Sequence, residues 1–297
     1  MIAPYPPVPR LMATWRWRRA LVVSALLFAV TAPLPIAAQA PGGEGSASGI
    51  LLTGHDIALL GAATLGAAAL TRLDVRLRNA LSDSLFHVKH PGFTSAANRA
   101  SLVTETVLML TGGTVWGIAR LRHDDGTADV ALHTTEAVAS TAMLIQVVRG
   151  ALGRARPFVI DDGGGMRRGD PYEFQFLHGF TSYNYRSFPS MHAMASFAAA
   201  SALSTEMRQR NTPNRAIIAP ALYLGAAMPA LARMYLDQHW ASDVAMGVFL
   251  GVFAGQKAVT YSHDHPDNIV DRKLLRHALR ATFTHDAGGL SFAITPY

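Results

Sequence analysis

Segments of mostly apolar residues recur along the chain from about residue 50 to residue 261, separated by shorter polar stretches. Recurring apolar segments of this length are typical of packed helices. We interpret six of them as helices. They cover residues 51–72, 100–121, 129–149, 190–207, 214–234 and 239–261. The pattern therefore predicts an all-α protein, folded as a helical bundle.

These apolar segments leave open whether the bundle lies in a membrane. Their longest stretches without Asp, Glu, Lys or Arg are all shorter than the roughly 20 residues that a membrane span prefers. Many of their residues are Ala and Gly, which contribute little transfer free energy but allow helices to pack closely. Two interpretations follow: a shallow membrane bundle, or a soluble periplasmic bundle.

The start of the chain has the pattern of a secretory signal peptide. Four arginines, with no acidic residue among them, precede an apolar run over residues 20–32, and prolines and small residues follow. We expect cleavage after Ala38 or Ala40. Residues 1–38 are then the signal peptide, and the Gly- and Ser-rich residues 39–49 are a flexible linker. A retained anchor helix is the alternative.

Composition and charge narrow the classes of protein that fit. The chain has 297 residues, half of them apolar, and no cysteine. It can bury a full core in one domain and has neither disulfides nor thiolate metal sites. The formal net charge is +6, but four basic residues lie in the leader, so the excess without it is about two. This argues against a nucleic acid partner.

A histidine and an aspartate stand four residues apart at the start of the last long apolar segment. If His239 lies in the first turn of that helix, Asp243 is on the same face and can accept the Nδ1 proton. Nε2 would then be unprotonated, as a nucleophile or base requires. Taken alone, the pair is equally typical of an acidic residue near a helix N-terminus.

A second polar group precedes the uncharged run from residue 193 to residue 205. Pro189 suits a first helical turn, and the free N–H groups there form an anion site with the Ser190 hydroxyl. His192 stands at the rim of that site, where it can protonate a leaving oxygen. A serine cap with an incidental histidine is the alternative interpretation.

A third group is basic. Arg149 and Arg156 lie seven residues apart, and a guanidinium group matches two phosphate oxygens at once. Gly150, Gly153 and Pro157 make a continuous helix through this stretch doubtful, and a frayed end that folds back is as plausible. Solvated arginines at a helix end are the alternative.

In this order and spacing, the three groups resemble the signature of the type 2 phosphatidic acid phosphatase superfamily, which also contains bacterial nonspecific acid phosphatases and vanadium haloperoxidases. The signature reads Lys-x6-Arg-Pro, Pro-Ser-Gly-His and Ser-Arg-x5-His-x3-Asp. Here it becomes residues 149–157, 189–192 and 232–243. Arg149 stands for Lys, Met191 for Gly and Ala232 for Ser.

The resemblance implies a six-helix core and a metal-independent phosphatase with no cofactor. His239 would attack phosphorus and form a phosphohistidine, Asp243 would orient His239, and His192 would protonate the leaving alcohol. The phosphoryl oxygens would be held by Arg149, Arg156, Ser190, the backbone of Met191, and Arg233. Fixed cations of this kind suit the charge that develops in phosphoryl transfer.

The three departures from the signature lead us to expect reduced or narrowed activity. Arg149 has a planar, bulkier guanidinium group where the signature has the compact ammonium group of lysine. Met191 brings a side chain close to the anion, so we expect a tighter pocket. Ala232 lacks a hydroxyl that would contribute about 1 kcal/mol as a hydrogen bond.

A long link over residues 158–188 separates the first two groups, and links of this length are usually functional or disordered. We expect it to form a lid whose aromatic residues meet the apolar part of a substrate; ordinary packing is the alternative. The aromatic residues are Tyr172, Phe174, Phe176, Phe180, Tyr183 and Tyr185. Lipid phosphates are therefore the preferred substrates and partners, ahead of soluble phosphomonoesters. The expected location is the cell envelope, either in the inner membrane with a periplasm-facing site or in the periplasm.

Two other functions stay open at this point. One is a vanadate-dependent haloperoxidase; the other is a noncatalytic envelope protein that binds lipid headgroups.

Outside the signature, residues 73–99 are amphipathic and predict an interfacial helix pair or a solvated loop. We assign residues 50–262 to the domain and residues 263–297 to a C-terminal tail that ends in a short strand or extended segment. The histidine-rich stretch 262–268 is more typical of a solvated turn than of a metal site.

Overall fold

A computed structural model describes residues 52–82, 89–160, 164–274, 279–286 and 289–296. The described chain is predominantly helical, so the all-α prediction is confirmed. The helices are α1 Gly54–Leu70, α2 Asp74–Leu81, α3 Pro91–Ala100, α4 Glu105–Leu121, α5 Asp125–Leu152, α6 Met191–Gln209, α7 Arg215–Tyr235, α8 Ala241–Asp264 and α9 Ile269–Leu274. The predicted signal peptide and linker lie outside the described residues.

Each of the six segments predicted as helical contains a long helix. Helix α5 extends beyond its predicted range at both ends, from Asp125 to Leu152 despite Gly150, and α4 begins at Glu105 instead of residue 100. The amphipathic stretch 73–99 contains the two short helices α2 and α3.

Two antiparallel strand pairs accompany the helices in the described part of the chain. Strands β1 Phe158–Ile160 and β2 Met166–Arg168 pair within the link that follows α5. Strands β3 Leu279–Asp286 and β4 Gly289–Pro296 pair near the end of the chain. The short strand predicted for the C-terminus is thus one arm of a hairpin.

Helices α6 and α8 pack closely because α8 carries a glycine at every fourth position. Gly247, Gly251 and Gly255 face the backbone of α6. A Cβ atom at Gly251 would lie 2.4 Å from the carbonyl oxygen of Met194, closer than real contacts permit. Glycine on one helix lets the two backbones meet without a side chain between them.

The core continues from α6 to α5. Ile145 of α5 and Met191 and Met194 of α6 belong to one buried cluster. Helix α6 also contacts α4 and α7. This packing, together with a hydrogen bond from the Ser190 N–H to the Asp243 carbonyl oxygen at 3.0 Å, brings the end of α5 to the starts of α6 and α8.

Among the described residues, three helical segments are long and apolar enough to cross a membrane: Gly54–Leu81, Arg215–Tyr235 and Ala241–Asp264. The bent pair α3 and α4 would form a fourth span if it acts as one. The sequence understated these lengths because charged residues near the helix ends interrupt the apolar runs but do not end the helices. The three segments are compatible with membrane association.

Candidate active site

The first group of the signature follows a sharp helix end. Arg149 lies in the last turn of α5, and Gly153 stops the helix with a φ of +59°. A Cβ atom at Gly153 would lie 1.7 Å from the Gln175 carbonyl oxygen, so only glycine fits. The chain leaves the helix here, which places Arg156 in an extended segment and not on the helix that carries Arg149.

Arg154, between the two signature arginines, is almost completely buried at 1% exposure. Its Nη2 donates to Asp74 Oδ2 at 2.9 Å and its Nη1 donates to Ser242 Oγ at 2.8 Å. Nη1 also pairs with the carboxylate of Asp243. Arg154 thus joins α2 to the start of α8.

Sequence reasoning missed both Arg154 and Asp74. In the sequence, Arg154 is only a third arginine within the basic group, and Asp74 is only an acidic residue at the start of a short helix. Neither feature identifies its partner, because 80 positions separate the two residues along the chain.

Asp243 organises the beginning of α8. Its Oδ2 accepts hydrogen bonds from the Trp240 N–H at 2.8 Å and from the Ser187 hydroxyl at 2.5 Å. The helix begins at Ala241, so His239 precedes it and does not lie in its first turn, contrary to the prediction.

The Nδ1 atom of His239 has a different partner from the one predicted. It lies 2.7 Å from the carbonyl oxygen of Ser187 and 3.6 Å from Asp243 Oδ2. A carbonyl oxygen can only accept, so Nδ1 carries the proton and Nε2 keeps its lone pair. The predicted tautomer is present, but a backbone carbonyl selects it. Burial, together with the charge of Arg156, lowers the pKa of His239 to about 3, so the ring is neutral near pH 7.

Three buried donors in this region have no hydrogen-bond partner among the described residues. They are the Nε atoms of Arg149 and Arg233 and the hydroxyl of Ser190. All three side chains belong to residues at most 9% exposed. An unpaired buried donor costs about 1–3 kcal/mol. Donors left unpaired beside the free N–H groups at the start of α6 form a site that an anion would complete.

His192 lies in the first turn of α6. Its Nε2 is 3.1 Å from the carbonyl oxygen of Ser101, so Nε2 carries a proton and Nδ1 is the position for a second, transferable one. Burial and the charge of Arg233 lower the pKa of His192 to about 4, with smaller effects from Arg156 and Arg149. His192 therefore lies close enough to these three arginines for their positive charges to lower its pKa.

The guanidinium group of Arg156 is largely hydrogen-bonded to carbonyl groups of the surrounding loops. It donates to the carbonyl oxygens of Tyr183, Gln238 and Arg186 at 3.0, 2.6 and 3.2 Å. It also stacks 4.0 Å from the centre of the Tyr183 ring. Burial lowers its pKa to about 10, which leaves it charged at neutral pH. Its positive charge lowers the pKa of His192 and His239. Its hydrogen bonds mainly hold the loops that contain these carbonyl groups.

The side chain of Met191 does not narrow the pocket as expected. It is 1% exposed and packs in the core with Val138 and Ile145. The residue after Ser190 therefore serves helix packing here, and only its backbone N–H lies at the helix start.

The aromatic residues of the link divide into three kinds. Tyr185 is buried with Ala155 and Val159. The hydroxyl of Tyr183 accepts from Arg233 Nη2 at 3.2 Å, which places it over the arginines. Large parts of the remaining four rings are exposed: Tyr172, Phe174, Phe176 and Phe180. These four residues are called the exposed aromatic set below.

Comparison with known proteins agrees with the signature. Residues 131–266 match the model of the PAP2 superfamily, a range that covers most of α5 and all of α6, α7 and α8. No curated protein and no solved structure matches the chain. The match supports the family assignment inferred from the three groups, and at a coarse level it supports phosphatase-type activity on phosphate esters.

Proposed function

We propose that this protein, whose residues 131–266 match the PAP2 superfamily, hydrolyses phosphate esters by transferring the phosphoryl group to Nε2 of His239. The observation that carries this proposal is the set of unpaired donors at Arg149, Ser190 and Arg233, together with the lone pair left on His239 by the Ser187 carbonyl. A phosphoryl group supplies the acceptors that the donors lack and the electrophile that the lone pair needs.

In the first step, Nε2 of His239 attacks phosphorus and the bond from phosphorus to the ester oxygen breaks. The leaving oxygen takes a proton from protonated His192. The imidazole ring of His239 becomes cationic, with its Nδ1 proton still donated to the Ser187 carbonyl. Asp243, 3.6 Å from Nδ1, stabilises that positive charge.

In the second step, water attacks the phosphohistidine and the phosphorus–nitrogen bond breaks. Neutral His192 takes the proton of that water, which restores the starting state. Throughout, Arg149, Arg233 and Ser190 hold the nonbridging oxygens, where negative charge concentrates. Arg156 contributes its charge from the loop side.

The preferred substrate class is a lipid phosphate. The exposed aromatic set lies in the same link as Tyr183, whose hydroxyl contacts Arg233. Three helical segments have the length and composition of membrane spans. A phosphate headgroup at the arginines with its acyl or prenyl chain along the exposed aromatic set would use both features. We place the protein in the cell envelope for the same reason.

The test is release of inorganic phosphate from lipid and soluble phosphates in the presence of EDTA. The wild type is compared with His239→Asn, and with His265→Asn as a control at an exposed histidine. We expect turnover of lipid phosphates by the wild type and the control, and none by His239→Asn. Binding without turnover would overturn the proposal in favour of a headgroup-binding protein. Turnover that EDTA abolishes in protein that stays folded would overturn the metal-independent mechanism.

A further inference from the structure

A second cluster of histidines and carboxylates lies at the other end of the helices. His133 is near the start of α5, Glu206 is near the end of α6, and His263 is in the last turn of α8. Arg149 lies further along the same helix as His133, about 24 Å away at 1.5 Å per residue. The cluster is therefore separate from the phosphate pocket.

The three side chains converge on one point. His133 Nδ1 lies 2.5 Å from Glu206 Oε1, and His263 Nε2 lies 3.1 Å from the same oxygen. One nitrogen or oxygen from each residue lies within 4.8 Å of the others. A tetrahedral ion about 2.0–2.1 Å from each ligand separates the ligand atoms by about 3.3 Å. Small side-chain movements are enough to reach that spacing.

Two buried atoms next to the cluster have no hydrogen-bond partner among the described residues. His133 Nε2 and Asp271 Oδ1 are 3.5 Å apart, and neither makes a hydrogen bond among the described residues. The residues are only 4% and 5% exposed. Buried polar atoms are rarely left in this state without a reason. An ion on His133 Nδ1 would place the ring proton on Nε2, directed at the Asp271 carboxylate.

The second oxygen of Glu206 is held as well. Arg210 Nε donates to Glu206 Oε2 at 2.8 Å. Metal-binding histidines usually donate their other ring N–H to a carboxylate, and metal-binding carboxylates are themselves hydrogen-bonded. The surroundings of His133 and Glu206 have both features.

We propose that His133, Glu206 and His263 bind one divalent transition-metal ion of the zinc type. Two imidazoles and one carboxylate suit zinc, whereas calcium and magnesium prefer sites made only of oxygen. The side chain of His263 is 30% exposed, which provides a path for the ion from solvent. The bound ion joins α5, α6 and α8, and Asp271 connects it to α9. Its role is structural, because the phosphate pocket lies at the opposite helix ends.

The experiment uses the full chain, purified in detergent, stripped with EDTA and dialysed. Zinc is titrated calorimetrically into the wild type and two cluster variants, His263→Gln and Asp271→Asn. The control is His265→Gln, an exposed neighbour whose Nδ1 lies 3.1 Å from the Tyr261 carbonyl oxygen. Helix content by circular dichroism must match between all four proteins for a comparison to count.

We expect one zinc ion per wild-type chain and a higher melting temperature with zinc. His263→Gln should weaken binding by at least about 100-fold, and Asp271→Asn by about 10- to 100-fold. The control should bind as the wild type does, and millimolar magnesium should not compete. These readouts do not depend on phosphate release, so failure of this proposal and failure of the phosphatase proposal are distinguishable.

Two results would overturn the metal site. One is a folded, stripped wild type that takes up no stoichiometric zinc, in which case the cluster is a proton-sharing network only. The other is equal zinc affinity in His263→Gln and His265→Gln, which would mean binding by scattered surface histidines. If His263→Gln is not folded, the same comparison is made with Asp271→Asn, which leaves every ligand in place.

Discussion

The Nδ1 atom of His239 lies 2.7 Å from the carbonyl oxygen of Ser187, nearer than Asp243 at 3.6 Å. The tautomer of the proposed nucleophile is therefore set by the backbone. This divides two tasks that a single carboxylate often performs together. Ser187 orients the ring, and Asp243 supplies negative charge and organises the start of α8.

Asp243→Asn should be a milder change than His239→Asn. The Ser187 carbonyl still holds the Nδ1 proton in the variant, so Nε2 keeps its lone pair. The ring loses the nearby negative charge, and Arg154 loses one of its two carboxylate partners. Where the carboxylate also sets the tautomer, as in serine protease triads, the asparagine change costs about 10⁴-fold. Here we expect a loss of kcat of about 100-fold, measured by phosphate release from well-folded protein. A loss as complete as that of His239→Asn would contradict the division of tasks.

Arg154 and Arg149 should respond in opposite ways to replacement by methionine. Arg154→Met leaves the buried carboxylates of Asp74 and Asp243 without their shared cation, and breaking a buried pair costs about 3–5 kcal/mol. Arg149→Met removes a buried Nε donor that has no hydrogen-bond partner among the described residues. We expect it to leave the free energy of unfolding equal or higher and to reduce turnover at least about 100-fold.

Thermal unfolding in detergent and phosphate release measure the two effects. Arg168→Met, at an exposed position, is the matched control for both. If Arg149→Met destabilised the protein as much as Arg154→Met, Arg149 would have a structural role and the anion site would lose its main support.

The pH dependence should differ between kcat/KM and kcat. His192 must be protonated to act as an acid, and its pKa in the free protein is lowered to about 4. The value of kcat/KM should therefore fall as pH rises above about 4. A bound phosphoryl group brings negative charge, which raises the pKa of His192, so the decline of kcat should lie at higher pH. Initial rates on one soluble monoester from pH 3.5 to 8 test this, and coincident declines would contradict it.

The contact between α6 and α8 predicts a position-specific effect of alanine. Gly251→Ala would place a Cβ atom 2.4 Å from the Met194 carbonyl oxygen, and overpacking of this kind costs about 1–3 kcal/mol. Gly225→Ala, in α7, is the control because nothing lies within 4 Å of the added atom. It should be neutral or stabilising by up to about 1 kcal/mol from helix propensity. Equal melting temperatures for the two variants would mean that the helices separate at little cost.

Much of the fold was readable from the sequence because helical periodicity is local. A run of apolar residues forms a helix whichever helix it packs against, so all six long helices lie where the pattern placed them. The three polar groups also sit at helix ends, where a sequence can indicate free N–H groups and turns. Their spacing was sufficient to indicate the family.

Other features depended on which segments meet, and that is decided by packing. Every residue has a backbone carbonyl group, so the sequence cannot show that the carbonyl oxygen of Ser187 is the one that accepts the Nδ1 proton of His239. Arg154 and Asp74 are partners only because α2 lies against the start of α8. Met191 faces the core because α6 packs against α5.

The cluster at the far end of the bundle shows the same limit. His263 stands in a polar stretch that is typical of a solvated turn, and its neighbours along the chain offer no regular ligand spacing. Its partners, His133 and Glu206, come from two other helices, 73 positions apart along the chain. The sequence alone predicted the helices, the family and the residues of the proposed phosphate site. Only the tertiary structure decided the proton acceptors, the buried ion pairs and the second cluster, because these depend on contacts between distant segments.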